Sequence, residues 1–198
     1  DMERLGILKK QYGFRVVEDA SHAIGALDRT KAPIGSCKHS DMATFSFHPV
    51  KIVTTAEGGA VTTNDDELAR RLRLARSHGI TRDADLIDDK LDGSWEYRQL
   101  TLGYNYRLTD IQAALGSAQM DRAEDIVAER QRLAASYDQA FANLDWLQNP
   151  AKPQGCEHGY QSYPCLFQPE RAKNAASTGD KREIKIINEA RNQWMDQL

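Results

Sequence analysis

Two residues of this 198-residue chain stand where their chemistry could be used. Lys51 lies within TFSFHPVKIVTTAEGGAVTTN, residues 44–64, and Asp19 within VVEDASHAIGA, residues 16–26. Lys51 sits in a hydroxyl-rich turn that ends on Gly58 and Gly59, not on a charged helix face. A primary amine in such a turn is a nucleophile toward a carbonyl carbon once it has lost its proton. Asp19 directly follows FRVVE, a short β-branched run, so its carboxylate is expected at the end of a strand. The separation of the two lets one fold bring amine and carboxylate to the same pocket.

The surrounding pattern says what must position them. FRVVE at 14–18 reads as a strand buried on both faces of an α/β sheet, and ATFSF at 43–47 and GGAVT at 58–62 read as its neighbours. In open sheets of this kind ligands sit at the carboxyl ends of strands, where Asp19 is placed. Leu5, Leu8 and Tyr12 at helical spacing, with Gly13 as a C-terminal cap, predict a first helix. Asp65 or Asp66 can cap a second over about 66–77, with Leu68, Leu72 and Ala75 inward and Gly79 ending it. Residues 80–100, polar and Asp-rich, predict a long surface loop. Thr109 and Gln112 form a capping box for a helix whose apolar series is Ile111, Ala114, Leu115 and Ala118. That helix is expected to continue, with a break near Asp121, to about Leu144. Asn149-Pro150 and the stretch to Gly159 mark a boundary, SYPCLF at 162–167 reads as a strand, and REIKIINEARNQWMDQL at 182–198 as a terminal helix.

Composition excludes several classes. Apolar residues make up 40% of the chain, enough for a packed core, and 26 basic against 29 acidic residues are mixed along it. No basic stripe marks a nucleic-acid surface. No apolar run reaches the roughly 20 residues that span a bilayer. Cys37, Cys156 and Cys165 form an odd set without CxxC spacing, which argues for a reducing compartment, and a cytoplasmic location is the default expectation. Cys37-x-His39 and Cys156-x-His158 lack the spacing of a structural zinc site, so no metal is expected. Gly58-Gly59 does not make a dinucleotide-binding loop and instead suits close backbone approach near a ligand. His48 and Glu57 lie within the lysine motif, and Pro49 suggests that His48 shapes the turn.

The runs EDASHAIGA, SFHPVKIVTTAEGGAVTTN and GYNYRLTDIQAALG (103–116) together resemble the sugar aminotransferases of the DegT/DnrJ/EryC1/StrS family over about residues 1–168. The SFHPVK form looks most like the transaminases that make UDP-4-amino-4,6-dideoxy-N-acetyl-β-L-altrosamine in pseudaminic acid synthesis. The resemblance implies an α/β, type I pyridoxal 5′-phosphate-dependent aminotransferase fold. It implies, too, a chain without the N-terminal part of the large domain or the end of the small one. Residues 1–120 would be the C-terminal half of the large domain, 121–148 a connecting helix, and 149–198 the start of the small domain.

The likeness also assigns roles. Lys51 would carry the cofactor as a Schiff base and move the proton, and Asp19 would hold a proton on the pyridine nitrogen. His22 would lie beside the ring, Ser46 would bind the phosphate, and Asn105 would reach the phosphate of the neighbouring subunit's cofactor. These imply a homodimer with shared active sites, a UDP-sugar substrate, and glutamate and 2-oxoglutarate as the donor pair. Another nucleotide-sugar aminotransferase of the family, or a non-catalytic remnant, are the alternatives. A sugar dehydratase on the same scaffold would carry histidine where Lys51 stands. The isolated chain is expected to hold the cofactor weakly and to be inactive, since the phosphate loop of the family is not matched.

Overall fold

The computed structural model describes residues 1–88, 91–168 and 171. It divides into two compact units, Asp1–Gln131 with Lys152–Gln161, and Arg132–Ala151 with Ser162–Leu198. The terminal helix expected over 182–198 lies outside the described residues.

The first unit opens with α1 (Met2–Tyr12), which Asp1 caps through the Arg4 N–H and Gly13 ends in a left-handed conformation, φ 71°. A three-stranded sheet follows, in the order β1 (Val17–Asp19), β2 (Met42–Ser46), β3 (Gly59–Thr62). β1 and β2 are parallel, with Asp19 opposite Thr44, and β2 and β3 are antiparallel, with Ser46 opposite Gly59. The irregular crossover from β1 to β2 folds over Ala20, Cys37 and Ala43, against which Ala23, Ile34 and Phe45 pack. A second apolar cluster joins Ile52 and Val53 to Ala123 and Val127, with Ile24, Phe47 and Ile126 around it.

FRVVE departs from its expected burial. Only three residues from Val17 on are strand, and Val17 is exposed, because β1 is an edge strand among the described residues and nothing there covers its outer face.

α2 (Asp66–Arg76) starts at the Asp65 cap, whose carboxylate accepts from the Glu67 and Leu68 N–H groups, and Gly79 N–H returns to the Leu74 carbonyl. Leu68, Leu72 and Ala75 are half-buried. The stretch 80–100 is not the structureless loop expected. β4 (Ile80–Thr81) and β5 (Arg98–Gln99) pair antiparallel, with a 3₁₀ turn at Ala84–Leu86 between them.

α3 (Asp110–Met120) carries the expected capping box, and the chain breaks at Asp121 before α4 (Ala123–Ala140). Its apolar series faces outward, however: Ile111 is 84% exposed, and Ala114, Leu115 and Ala118 are exposed too. The inward side is that of Gln112 and Gly116, because α3 meets the rest of the unit through a polar contact and a close approach.

In the second unit β6 (Leu147–Gln148) pairs antiparallel with β7 (Leu166–Phe167), so SYPCLF contributes only its last two residues as strand. Tyr137 stacks on Phe141, and the Tyr163 hydroxyl donates to Asp138 at 2.6 Å.

Asp41 ties α1 to the sheet. Its buried carboxylate accepts from Lys9 (3.0 Å), Arg15 (2.7 Å) and the Val16 N–H (2.7 Å). Burial alone would raise its pKa, but the Val16 N–H and the two cationic side chains outweigh that and hold it at about 2. A carboxyl whose pKa is lower folded than unfolded stabilises the fold above its unfolded value and loses that contribution as pH falls. Asp41→Asn is therefore expected to destabilise the protein at pH 7 by about 2 kcal/mol in urea unfolding. The gap should close as the pH approaches about 2; a pH-independent gap would contradict the assignment.

Candidate active site

Because β1 and β2 run parallel and β3 runs back, the last residues of β1 and β2 and the first of β3 share one end of the sheet. Asp19 closes β1, Ser46 closes β2, and Lys51 lies in the connection from Phe47 to Gly58 that leaves and re-enters at that end. Topology alone thus gathers three of the five residues singled out in the sequence.

The lysine turn is rigidly built. Lys51 N–H donates to the His48 carbonyl at 2.9 Å, and Phe47 N–H to the Gly58 carbonyl at 2.9 Å. The Phe47 carbonyl in turn accepts from Thr55 N–H (3.0 Å) and the Thr54 hydroxyl (3.1 Å). Ile52 and Val53, directly after the lysine, are buried against Ala123 and Val127, which anchors the turn while Lys51 stays half-exposed. Buried Thr55 donates to the Glu57 carbonyl at 2.8 Å, and Gln112 of α3 donates to the same oxygen at 2.9 Å. The two glycines serve this packing: a Cβ on Gly59 would stand 2.7 Å from the Phe45 carbonyl oxygen, and one on Gly58 2.4 Å from the Thr55 hydroxyl. His48 Nε2 lies 3.9 Å from Glu57, and His48 Nδ1 faces the Val50 N–H at 3.3 Å, consistent with a turn-shaping residue.

Asp19 is exposed and oriented by an Asx turn: Oδ1 accepts from the Ser21 N–H at 3.0 Å and the Ser21 hydroxyl at 2.5 Å. Its other oxygen takes no hydrogen bond from the described residues, so the turn aims the carboxylate without consuming it. The two Ser21 bonds lower the Asp19 pKa against a smaller opposing effect of burial, and the charges of His22 and Lys51 add weaker lowering effects. An ionised carboxylate suits a protonated pyridine nitrogen and an amine suits an aldehyde, so the residues at this end of the sheet fit a group that carries both. His22, on the first turn after Asp19, is exposed. The Ser46 hydroxyl accepts a long bond, 3.4 Å, from His48 N–H.

Asn105 is placed by a different element. It bridges Ser77 at the end of α2 between two exposed tyrosines, Tyr104 and Tyr106, whose rings stack at 4.7 Å. No hydrogen bond joins it to Asp19, His22, Ser46 or Lys51. The sequence reading missed Ser21, although an Asp-x-Ser spacing after a strand is itself an Asx-turn signal. It missed the Gln112 bond to Glu57 as well, and for that no local signal exists.

The sequence pattern of the DegT/DnrJ/EryC1/StrS aminotransferase family matches residues 1–186. The chain belongs to that family. Among its relatives, a UDP-4-amino-4,6-dideoxy-N-acetyl-β-L-altrosamine transaminase of Campylobacter jejuni is 36% identical over 170 residues, covering 86% of this chain and 42% of the relative. A GDP-perosamine synthase of Caulobacter vibrioides is 40% identical over 144 residues, 73% of this chain and 35% of the relative. The solved structure of Helicobacter pylori PseC, an aminotransferase of pseudoaminic acid biosynthesis, superposes with a TM-score of 0.76 at 31% identity, covering 86% of this chain and 43% of PseC. The chain thus spans about two fifths of the length of the transaminase and of PseC. The fold is that of the pyridoxal phosphate-dependent sugar aminotransferases, and pyridoxal 5′-phosphate is the cofactor of the family.

The Asx turn makes a direct prediction. In Ser21→Ala the Asp19 carboxyl loses its hydroxyl donor, and its titration, followed by NMR of the labelled carboxyl carbon, is expected to move upward toward the ordinary aspartate range. An unmoved titration would show that Ser21 does not set the charge on Asp19.

Proposed function

We propose that the protein transfers an amino group from glutamate to the C4 keto group of a UDP-linked 4-keto-6-deoxy-N-acetylhexosamine, in nucleotide-sugar biosynthesis of the pseudaminic acid type. The observation that carries the chemistry is the gathering of Asp19, Ser46 and Lys51 at one end of the sheet. The likeness to the C. jejuni transaminase and to PseC supports the substrate.

When bound, pyridoxal phosphate supplies an electron-withdrawing ring that carries the amino group from one substrate to the other. Lys51 would provide the amine that holds the aldehyde carbon and, once freed by the donor, would move the proton between the donor's α-carbon and that carbon. It does so from a turn whose backbone is fixed while its side chain is not consumed by any ion pair among the described residues. Asp19, its pKa lowered by Ser21, would keep the ring nitrogen protonated, which would strengthen the ring as an acceptor of electrons. Ser46 offers a hydroxyl to the phosphate and His22 a ring face beside the cofactor. Asn105 serves the cofactor of a second subunit. The exposed Tyr104, Tyr106, Ile111 and Leu115 around it in sequence support a homodimer built through this surface.

The likeness to GDP-perosamine synthase favours a second reading, the same reaction on another nucleotide-linked ketosugar. Assaying UDP- and GDP-linked ketosugars side by side separates the two.

For the mechanism, borohydride reduction of the cofactor-loaded protein followed by peptide mapping is expected to leave the pyridoxyl group on Lys51. Lys51→Ala should lower kcat by about 10²–10⁴-fold. A pyridoxyl group on another lysine, or a Lys51→Ala protein of undiminished turnover, would overturn the role.

A further inference from the structure

The residue before Lys51 is gripped at both its backbone polar groups by side chains. Val50 N–H faces His48 Nδ1 at 3.3 Å, and the Val50 carbonyl accepts from Gln161 Nε2 at 2.6 Å. The first contact is local and the second spans 111 residues of sequence. Gln161 is itself fixed. Arg130 of α4 donates to the Tyr160 and Gln161 carbonyls at 3.1 and 3.3 Å, and Gln131 to the His158 carbonyl at 3.1 Å. Gly159 permits the approach: a Cβ there would stand 2.5 Å from the Ile24 carbonyl oxygen and 3.4 Å from Ile52. The strut therefore runs from α4 through 158–161 to the peptide that carries Lys51.

The other end of the Gln161 amide makes the arrangement unusual. Oε1 is fully buried and has no hydrogen-bond partner among the described residues. A buried acceptor left unpaired disfavours the fold, so a purely structural position here would be better filled by an apolar side chain. What the amide does provide is its N–H, and that N–H ends on Val50.

We infer that Gln161 is a positioning residue for Lys51, acting through the Val50 carbonyl to fix where the lysine turn presents its amine. This rests on Lys51 being the cofactor lysine, as proposed above, but the contact itself does not. A side chain remote in sequence thereby sets the approach of the amine to a carbonyl, and small misplacements of a reacting group cost rate steeply.

The test compares wild type with Gln161→Met, which keeps the length and removes the N–H, and Gln161→His, which keeps an N–H at similar reach. Two measurements apply without cofactor: hydrogen exchange of the peptide covering residues 48–53, and the rate at which Lys51 is modified by limiting acetic anhydride relative to the other lysines of the same sample. In Gln161→Met the 48–53 amides are expected to exchange about tenfold faster and the relative labelling of Lys51 to change at least about threefold, with the other lysines unmoved. Gln161→His should restore both. Unchanged exchange and labelling in Gln161→Met would overturn the inference, and so would an equal change at every lysine and peptide, which would mark Gln161 as merely stabilising. Borohydride trapping of pyridoxal phosphate on wild type keeps the two claims apart. A tag away from Lys51 removes the cofactor role but leaves the exchange result to decide whether Gln161 holds Val50.

Discussion

The parallel pairing of β1 with β2 is the constraint on which the site depends. It sends the ends of both strands to the same edge, so that Asp19 and Ser46 become neighbours across a sheet although 26 residues of crossover and strand separate them. A parallel pair cannot be closed by a tight turn and needs a long connection. Here that connection buries Ala20, Ala23, Ile34 and Cys37 against Ala43 and Phe45, and Asp41 pins its return to α1 and to Val16. The same few residues that close the crossover thus fix the direction of the strand that ends in the candidate site.

The lysine turn depends on a different balance. Its backbone is tied down by apolar burial just after Lys51, by polar bonds from Thr54, Thr55 and Gln112, and by the Gln161 amide, while the amine itself is left half-exposed. Rigidity in the support with freedom in the amine is what the proposed role of Lys51 requires, since orientation is then set before reaction. Asp19 shows the same logic in miniature, with one oxygen held by Ser21 and the other open.

Elements announced by local chemistry were legible in the sequence. The Asp65 and Thr109 caps, Gly13 as a terminator and the break at Asp121 are each specified by a few adjacent residues, and the structure places them there. The strands around Ser46 and Gly59 were legible for the same reason. What was not legible depended on who packs against whom. The spacing of Ile111, Ala114, Leu115 and Ala118 marks a helix but does not say which surface covers it, and in this unit the inner contacts come from Gln112 and Gly116 instead. The β4–β5 hairpin has two residues per strand, too few for an alternation to register. In the candidate site, the placement of Asp19 at a strand end and of Lys51 in a turn could be read from residue type and motif. Gln161 could not, because its link to the lysine turn is a bond that the fold creates.

The central claim is that the Asp19 carboxylate and the Lys51 amine act on one cofactor ring. The most direct measurement is the ¹⁵N NMR shift of pyridoxal phosphate labelled at the ring nitrogen and bound to the protein, in wild type and in Asp19→Asn. A pyridinium shift in wild type and a neutral pyridine shift in Asp19→Asn at the same pH are the expected result. A ring nitrogen in the same protonation state in both proteins would contradict it.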